Sequence, residues 1–354
     1  MYTGLRVFIL IILFISAQLF SAEHQHHEHD HSEHQSHAPV GVMGDHYHEK
    51  GEFMLSYRAM RMSMDENFNG SSSLSVSEAL SLGTAGPGPN GEYMMMPVDM
   101  TMDMHMLGMM YAVNSKLTLM LMANYLENEM NIEMLNGTKF STKSSGFSDT
   151  KLSALFELNT WGMSKLLFGF GVSLPTGSID EKDDTPASAG VAIQLPYPMQ
   201  LGSGTYDLLP SLTLTHQSDS MKFAWGAQLK GEVRMGDNDH GYALGDSYNV
   251  LGWGSYVWNS HLSNALRLNW KHWGDIDGSD SQLTVGKNMM PTADPGLRGG
   301  RRLDLGFGIN LLGNKSRLYG HKIALEYTKA LYQNLNGPQL GTDNTWVLGY
   351  EKVW

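Results

Sequence analysis

Runs of apolar and polar residues in strict alternation recur from Phe53 to Trp354. A period of two places alternate side chains on opposite faces of an extended strand, and a helix does not produce it. Leu152, Ala154, Phe156 and Leu158 share one face, opposed by Lys151, Ser153, Glu157 and Asn159. Leu303, Leu305, Phe307, Ile309 and Leu311 likewise oppose Arg302, Asp304, Gly306 and Asn310. Twelve such segments are read: 52–64, 98–113, 117–130, 148–160, 164–175, 204–217, 220–235, 247–259, 261–273, 301–312, 320–332 and 344–354. In a soluble sandwich the second face would be evenly polar. Here it mixes glycine with charge, as the inside of a water-filled or plugged barrel does. Segment length fits the roughly 9–11 residues that a tilted strand needs to cross a bilayer.

The connections support the same fold. Short ones, such as Asn114-Ser115-Lys116 and Asn259-Ser260, lie between long ones at about 65–97, 131–147, 176–203, 236–246, 274–300 and 333–343. Leu74 to Leu82 is expected to form a short helix in the first long loop. The expectation is an all-β, antiparallel, transmembrane up-and-down β-barrel of about twelve strands, with short periplasmic turns and long outer loops. Trp161, Trp258, Trp270, Trp273, Tyr111, Tyr256 and Tyr319 stand near strand ends, where interfacial aromatic girdles form. The last strand ends Leu348, Tyr350, Trp354 on one face, as in barrels recognised by the outer-membrane assembly machinery, which is therefore an expected partner beside outer-membrane lipid.

Arg6, the apolar run Val7 to Phe20, and small Ser21 and Ala22 have the layout of a secretory signal peptide. Cleavage near Ala22 is favoured over an uncleaved anchor. The expected division is a signal peptide at 1–22, a disordered His-rich tail at 23–50 and a barrel at 51–354, exported through the periplasm to the outer membrane of a Gram-negative bacterium. Removing 1–22 takes away one base, Arg6, and no acid, and leaves a formal charge of −13. Such a surface argues against nucleic acid. Cysteine is absent, which excludes a disulfide framework, a thiol nucleophile and a thiolate metal site.

Five segments carry a resemblance. They are Met100-Thr101-Met102-Asp103-Met104-His105-Met106, Ser173-Leu174-Pro175-Thr176-Gly177-Ser178, Gly202-Ser203-Gly204-Thr205-Tyr206-Asp207 with Pro210, Gly241-Tyr242-Ala243-Leu244-Gly245-Asp246, and Leu335-Asn336-Gly337-Pro338-Gln339-Leu340. In this order the chain resembles the MetA-pathway-of-phenol-degradation family of outer-membrane barrels. The resemblance implies a single-chain barrel with a transport-like role. It implies neither a substrate nor phenol breakdown as an activity.

Methionine carries the chemical signal. Of 25 methionines, 13 fall between Met94 and Met134, a clustering that random filling would not produce. Leu55, Tyr57 and Ala59 suit lipid, which turns Met60, Met62 and Met64 to the lumen. The same logic turns Met100, Met102, Met104 and Met106 inward from the second segment, and Met120 and Met122 from the third. Thioether is a soft ligand suited to Cu(I), although methionine also packs as an adaptable apolar side chain. Asp103 and His105 are then outward, and would turn inward as alternative ligands only if the register slipped by one residue. The tail adds His24, His26, His27, His29, His31, His34, His37, His46 and His48 among carboxylates. Imidazole suits Zn, Cu and Ni, and the irregular spacing fits loose binding of several ions.

The reading that follows is a transporter or sequestration barrel for soft or borderline metal ions, copper above all, with no cofactor required. A channel for small hydrophobic or aromatic compounds is the alternative, since sulfur contacts rings favourably; a structural barrel without transport is another. No Gly-x-Ser-x-Gly elbow is present and the remaining histidines are scattered, so an enzyme is not expected.

Overall fold

The fold is given by a computed structural model that describes residues 37–186, 188–313 and 318–354. The expected signal peptide and the tail histidines His24, His26, His27, His29, His31 and His34 lie outside these residues. The wall consists of β1 (Phe53–Gly70), β2 (Met95–Asn114), β3 (Leu117–Met134), β4 (Lys139–Phe147), β5 (Thr150–Trp161), β6 (Ser164–Leu174), β7 (Ser211–Gln217), β8 (Phe223–Arg234), β9 (Ser247–Asn259), β10 (Leu262–Trp273), β11 (Gly300–Gly313) and β12 (His321–Val353).

All neighbours pair antiparallel, and the sheet closes because β8 bonds to both β7 and β9. β4 and β5 share one place: β4 pairs with Tyr125–Glu133 of β3 and β5 with Leu117–Met122. β12 takes two places, pairing β11 through its first arm and β1 through its second. Its arms face each other through the Tyr327–Trp346 rings and the 3.0 Å Lys329–Asp343 ion pair. The ring therefore has twelve staves, and the expected all-β barrel is the observed fold.

Two expected loops are strands instead. β3 runs on to Met134 and returns as β4 through a turn at Asn136-Gly137, where Gly137 has φ 83°. The stretch does not read as membrane strand because its outer face carries the Lys139–Glu133 and Lys143–Glu129 pairs rather than apolar residues. Residues 333–343 are the tip of β12. The expected short helix is α1 (Val76–Ser81), closed by a Ser75–Glu78 capping box. The segment 204–217 is shorter than expected, with the stave itself at Ser211–Gln217.

The outward faces are apolar and exposed: Leu152 and Phe156, Leu266 and Leu268, Phe307 and Ile309, Ile323 and Leu325. A belt of this size leaves water only when lipid covers it. Tyr111, Trp161, Tyr256, Trp258 and Tyr319 are exposed near the short turns, as expected. Trp273 is different: its indole N–H donates to the Arg298 carbonyl at 2.7 Å. No helix among the described residues is long and apolar enough to cross a membrane, which says nothing about strands.

Residues 37–50 overturn the expectation of a disordered tail reaching to position 50. They form a loop inserted into the short-turn half of the lumen. Ala38, Val40 and Val42 are buried. The His37 carbonyl accepts from Ser255 Oγ at 2.8 Å, the Met43 carbonyl accepts from Gln228 Nε2 at 2.8 Å, and the Gly41 N–H donates to Glu326 at 2.7 Å. The sequence of the segment suits this place. Ala38 to Met43 supplies small apolar residues, and Ala38, Val40 and Val42 are the buried ones. A Cβ on Gly41 would meet the ends of the Arg267 and Glu326 side chains at 2.8 Å, so a larger residue there would push against that ion pair.

Candidate functional site

The lumen is the candidate site, and two opposed walls define it. On β1 to β3 the buried residues include Met54, Ser56, Arg58, Met100, Gly108, Met110, Ala112, Thr118, Asn124, Leu126, Asn128 and Met130, all at positions of one parity. The strands pair without a slip from Phe53 to Asp65 and from Asp99 to Ala112. Met60, Met62, Met64, Met100, Met102, Met104, Met106, Met120 and Met122 therefore all face inward. They meet in rows: Met60 opposite Met104, Met62 opposite Met102, Met64 opposite Met100. Asp103 and His105 face outward, so the condition for using them as ligands is not met. Asp103 takes a two-point bond from Arg61 at 2.7 and 2.6 Å, and His105 Nδ1 bonds the Tyr57 hydroxyl at 2.7 Å.

The stripe has three surroundings along its length. At the long-loop end, Met64, Met100, Met102 and Met130 pack against Leu195, Tyr197, Met199 and Tyr242 of the infolded loops. At the short-turn end, Met54, Met110 and Met120 pack with Leu155, and Met60 packs against Val40 of the inserted segment. Met104, Met106 and Met122 between them belong to neither cluster. Both ends of the stripe are therefore enclosed by other elements, and Met104, Met106 and Met122 are not.

Six places round a ring of twelve, β8 to β10 lie across the lumen from β1 to β3. Ion pairs line this wall and run round the lumen as far as Lys151 of β5 and Arg58 of β1. Arg267 donates to Glu326 at 2.7 Å, Arg58 to Glu351 at 2.8 Å and Lys151 to Glu232 at 3.0 Å, and Arg302 forms an ion pair with Asp304 at 2.7 Å. Lys322 also reaches Glu351, at 3.4 Å. Lys230 and Lys271 face inward in one row, each opposite Asn249 of β9. Among the described residues neither has a carboxylate at salt-bridge distance. Their inward position follows from strand parity, but sequence reasoning did not single them out, because their isolation depends on where the acids of other strands fall.

The loops that fold inward are clamped by the motifs quoted for the resemblance. Asp149 accepts from the Gly177 N–H at 2.9 Å and from Ser203 Oγ at 2.9 Å. Asp207 accepts from Thr205 Oγ1 at 2.6 Å and pairs with Arg234. These contacts hold loops and carry no site of their own. His240 lies between Asp180, at 3.1 Å, and Asp280, at 2.8 Å, and ties three loops together.

Of the tail histidines within the described residues, His37 Nδ1 bonds Ser263 Oγ at 3.2 Å, and His46 and His48 stand 4.9 Å apart between ring centroids. His46 is bonded to Asp45 at 3.0 Å, and His48 lies 3.4 Å from Glu52. Among the described residues no group of three or more His, Asp or Glu is placed to hold a metal ion.

No family model and no curated protein matches the chain. Solved structures do. The COG4313 outer membrane channel from Pseudomonas putida F1 matches over 90% of this chain and 99% of its own, at 14% identity and TM-score 0.57. This chain has the fold of an outer-membrane channel. The NanC porin (10% identity, 84% of this chain, 98% of that one, TM-score 0.42) and a deletion mutant of the TodX monoaromatic hydrocarbon channel (12% identity, 88% and 92%, TM-score 0.42) also match.

Proposed function

We propose that the chain is an outer-membrane channel for small apolar and aromatic compounds, with those bearing an anionic group preferred. One observation carries this: a thioether wall faces, across one lumen, a wall holding Lys230 and Lys271, neither of which has a carboxylate at salt-bridge distance among the described residues. Methionine sulfur contacts aromatic ring edges favourably, by about 0.3–1.5 kcal/mol. Ammonium groups in a confined, partly desolvated passage attract carboxylate or phenolate and repel cations. An aromatic acid offers one group to each wall.

The same cations weigh against passage of free metal ions, so the reading as a copper transporter gives way to this one. In the channel reading the short-turn end is periplasmic and the inserted residues 37–50 act as the gate on that side. A catalytic step has no part in it.

The test is solute entry into liposomes carrying the purified barrel, with benzoate, acetate and benzylammonium compared at equal concentration. Benzoate is expected to enter fastest, and Lys230→Gln with Lys271→Gln to slow benzoate selectively. Equal entry of benzoate and benzylammonium would refute the proposal.

A further inference from the structure

Where the inserted segment meets the foot of the methionine stripe, four thioethers surround one small cavity. Met54, Met110 and Met120 come from three adjacent strands and stand directly opposite one another, Met54 to Met110 and Met110 to Met120. Met43 comes from the inserted segment, as do Asp45 and His46. Gly44, Ser56, Arg58 and Gly108 complete the lining. The cavity measures about 10 Å³, room for a single water-sized particle. It can take an ion but not an aromatic ring.

We propose that this cavity is a site for one soft monovalent metal ion, Cu(I) or Ag(I), bound by the sulfur atoms of Met43, Met54, Met110 and Met120 with His46 as nitrogen donor. Donor chemistry sets the choice of ion. Neutral thioethers favour soft, low-charge ions and hold Zn²⁺, Ca²⁺ or Mg²⁺ poorly. His46 has the arrangement of a ligating imidazole, one ring nitrogen oriented by a carboxylate, here Asp45 at 3.0 Å. The one cation in the lining, Arg58, is already paired with Glu351 at 2.8 Å, and Lys322 shares that carboxylate at 3.4 Å. With Asp45 included, the fixed charges around the cavity balance before an ion enters.

The site differs from the one the sequence suggests. It uses Met120 of the stripe, together with Met43, Met54 and Met110, which lie outside the alternating runs read as ligands. It is also independent of the channel's cargo, since it lies between gate and wall. Two of its donors belong to the inserted segment and three to the barrel, so a bound ion fastens one to the other. A ligand that binds only the seated state stabilises it in proportion to the logarithm of its concentration over its dissociation constant.

The test uses the full chain, refolded in detergent and loaded with Cu(I) against bicinchoninate as competitor. One competitor-resistant Cu(I) with sulfur scattering in its X-ray absorption spectrum is expected. The triple variant Met54→Leu, Met110→Leu, Met120→Leu keeps volume and apolarity; it should lose that ion while the barrel keeps its heat-modifiable mobility on gels. Met104→Leu with Met106→Leu should retain it. Copper held through nitrogen and oxygen alone, or held equally by the triple variant, would overturn the site. Benzoate entry in metal-free liposomes is measured separately, so loss of one proposal leaves the other standing.

Discussion

Gly349 of β12 allows the seating of the inserted segment to be tested with one methyl group. A Cβ built there would lie 2.4 Å from Val40 Cγ2 and 3.6 Å from Arg58 Cγ. Carbon atoms rest about 3.5–4.0 Å apart, so the first contact is more than an ångström too close. Gly349 lies in a strand with no positive φ, and alanine costs nothing in the backbone itself. Either the segment shifts while overpacked, at about 1–3 kcal/mol, or Val40, now 2% exposed, leaves its place and forfeits about 1.5–3 kcal/mol of burial. Both routes lower the ratio of seated to unseated segment by about 5- to 150-fold, taking 1.4 kcal/mol per tenfold. Gly349→Ala should therefore expose residues 37–50 to protease and raise single-channel conductance in planar bilayers. Gly252→Ala is the matched control, since its Cβ would meet nothing nearer than 3.7 Å. Native protease resistance and native conductance in a heat-modifiable Gly349→Ala barrel would refute the gate.

Further outcomes follow from the same contacts. Arg267→Met strands Glu326, which is 0% exposed, and should cost about 3–5 kcal/mol in urea unfolding from detergent; adding Glu326→Met should recover most of it. Asp103→Asn breaks only an exposed pair with Arg61 and should cost under about 1 kcal/mol in the same assay. Burial, then the bond to Glu157, pushes the Tyr47 hydroxyl up to about 12. The seated state thus holds its proton more tightly than the free segment does. The resulting stabilisation is present below pH 10 and is lost as pH rises from 10 towards 12. Protease sensitivity of residues 37–50 should rise over that window, and Tyr47→Phe should flatten the rise. Met104→Cys should react with a membrane-impermeant maleimide through the lumen, and Leu305→Cys on the lipid face should not.

The wall was legible because burial in lipid on one side and a mixed polar lumen on the other impose period two on each spanning stretch. Leu152, Phe156, Phe307 and Ile309 fell on the predicted face for that reason. β4 and the far halves of β1 to β3 were not legible as wall, because beyond the lipid band the outer face turns charged, as at Glu129 and Lys143, and the signal fades. The inserted segment was hidden for a different reason. Its local composition is that of a mobile tail, and its backbone finds partners on distant strands, among them Glu326, Gln228, Ser255, Asn310 and Thr118. The inward turn of Met60, Met104 and Met120 was correctly read from parity. What each of them meets inside was not, since that depends on the loops and on residues 37–50.

Periodicity places the methionines on one face but leaves their roles undivided, and the barrel axis separates them. Those near the long loops are enclosed by Tyr197 and Tyr242 and behave as core. Those at the foot close around a cavity the size of one ion, where Met43 and His46 add donors from a second element. Met104, Met106 and Met122 lie between, without an imidazole or carboxylate directly opposite them: their partners are Met60, Arg58, Leu126, Asn124, Gly108 and Lys151. A soft ion passing the middle would meet sulfur from one side and, on the other, the ammonium groups of Lys230 and Lys271, which repel it. An aromatic carboxylate there meets sulfur at its ring and a cation at its charged group. The stretch of stripe that no other element encloses thus suits the organic anion, and the stretch that the inserted segment encloses suits the metal.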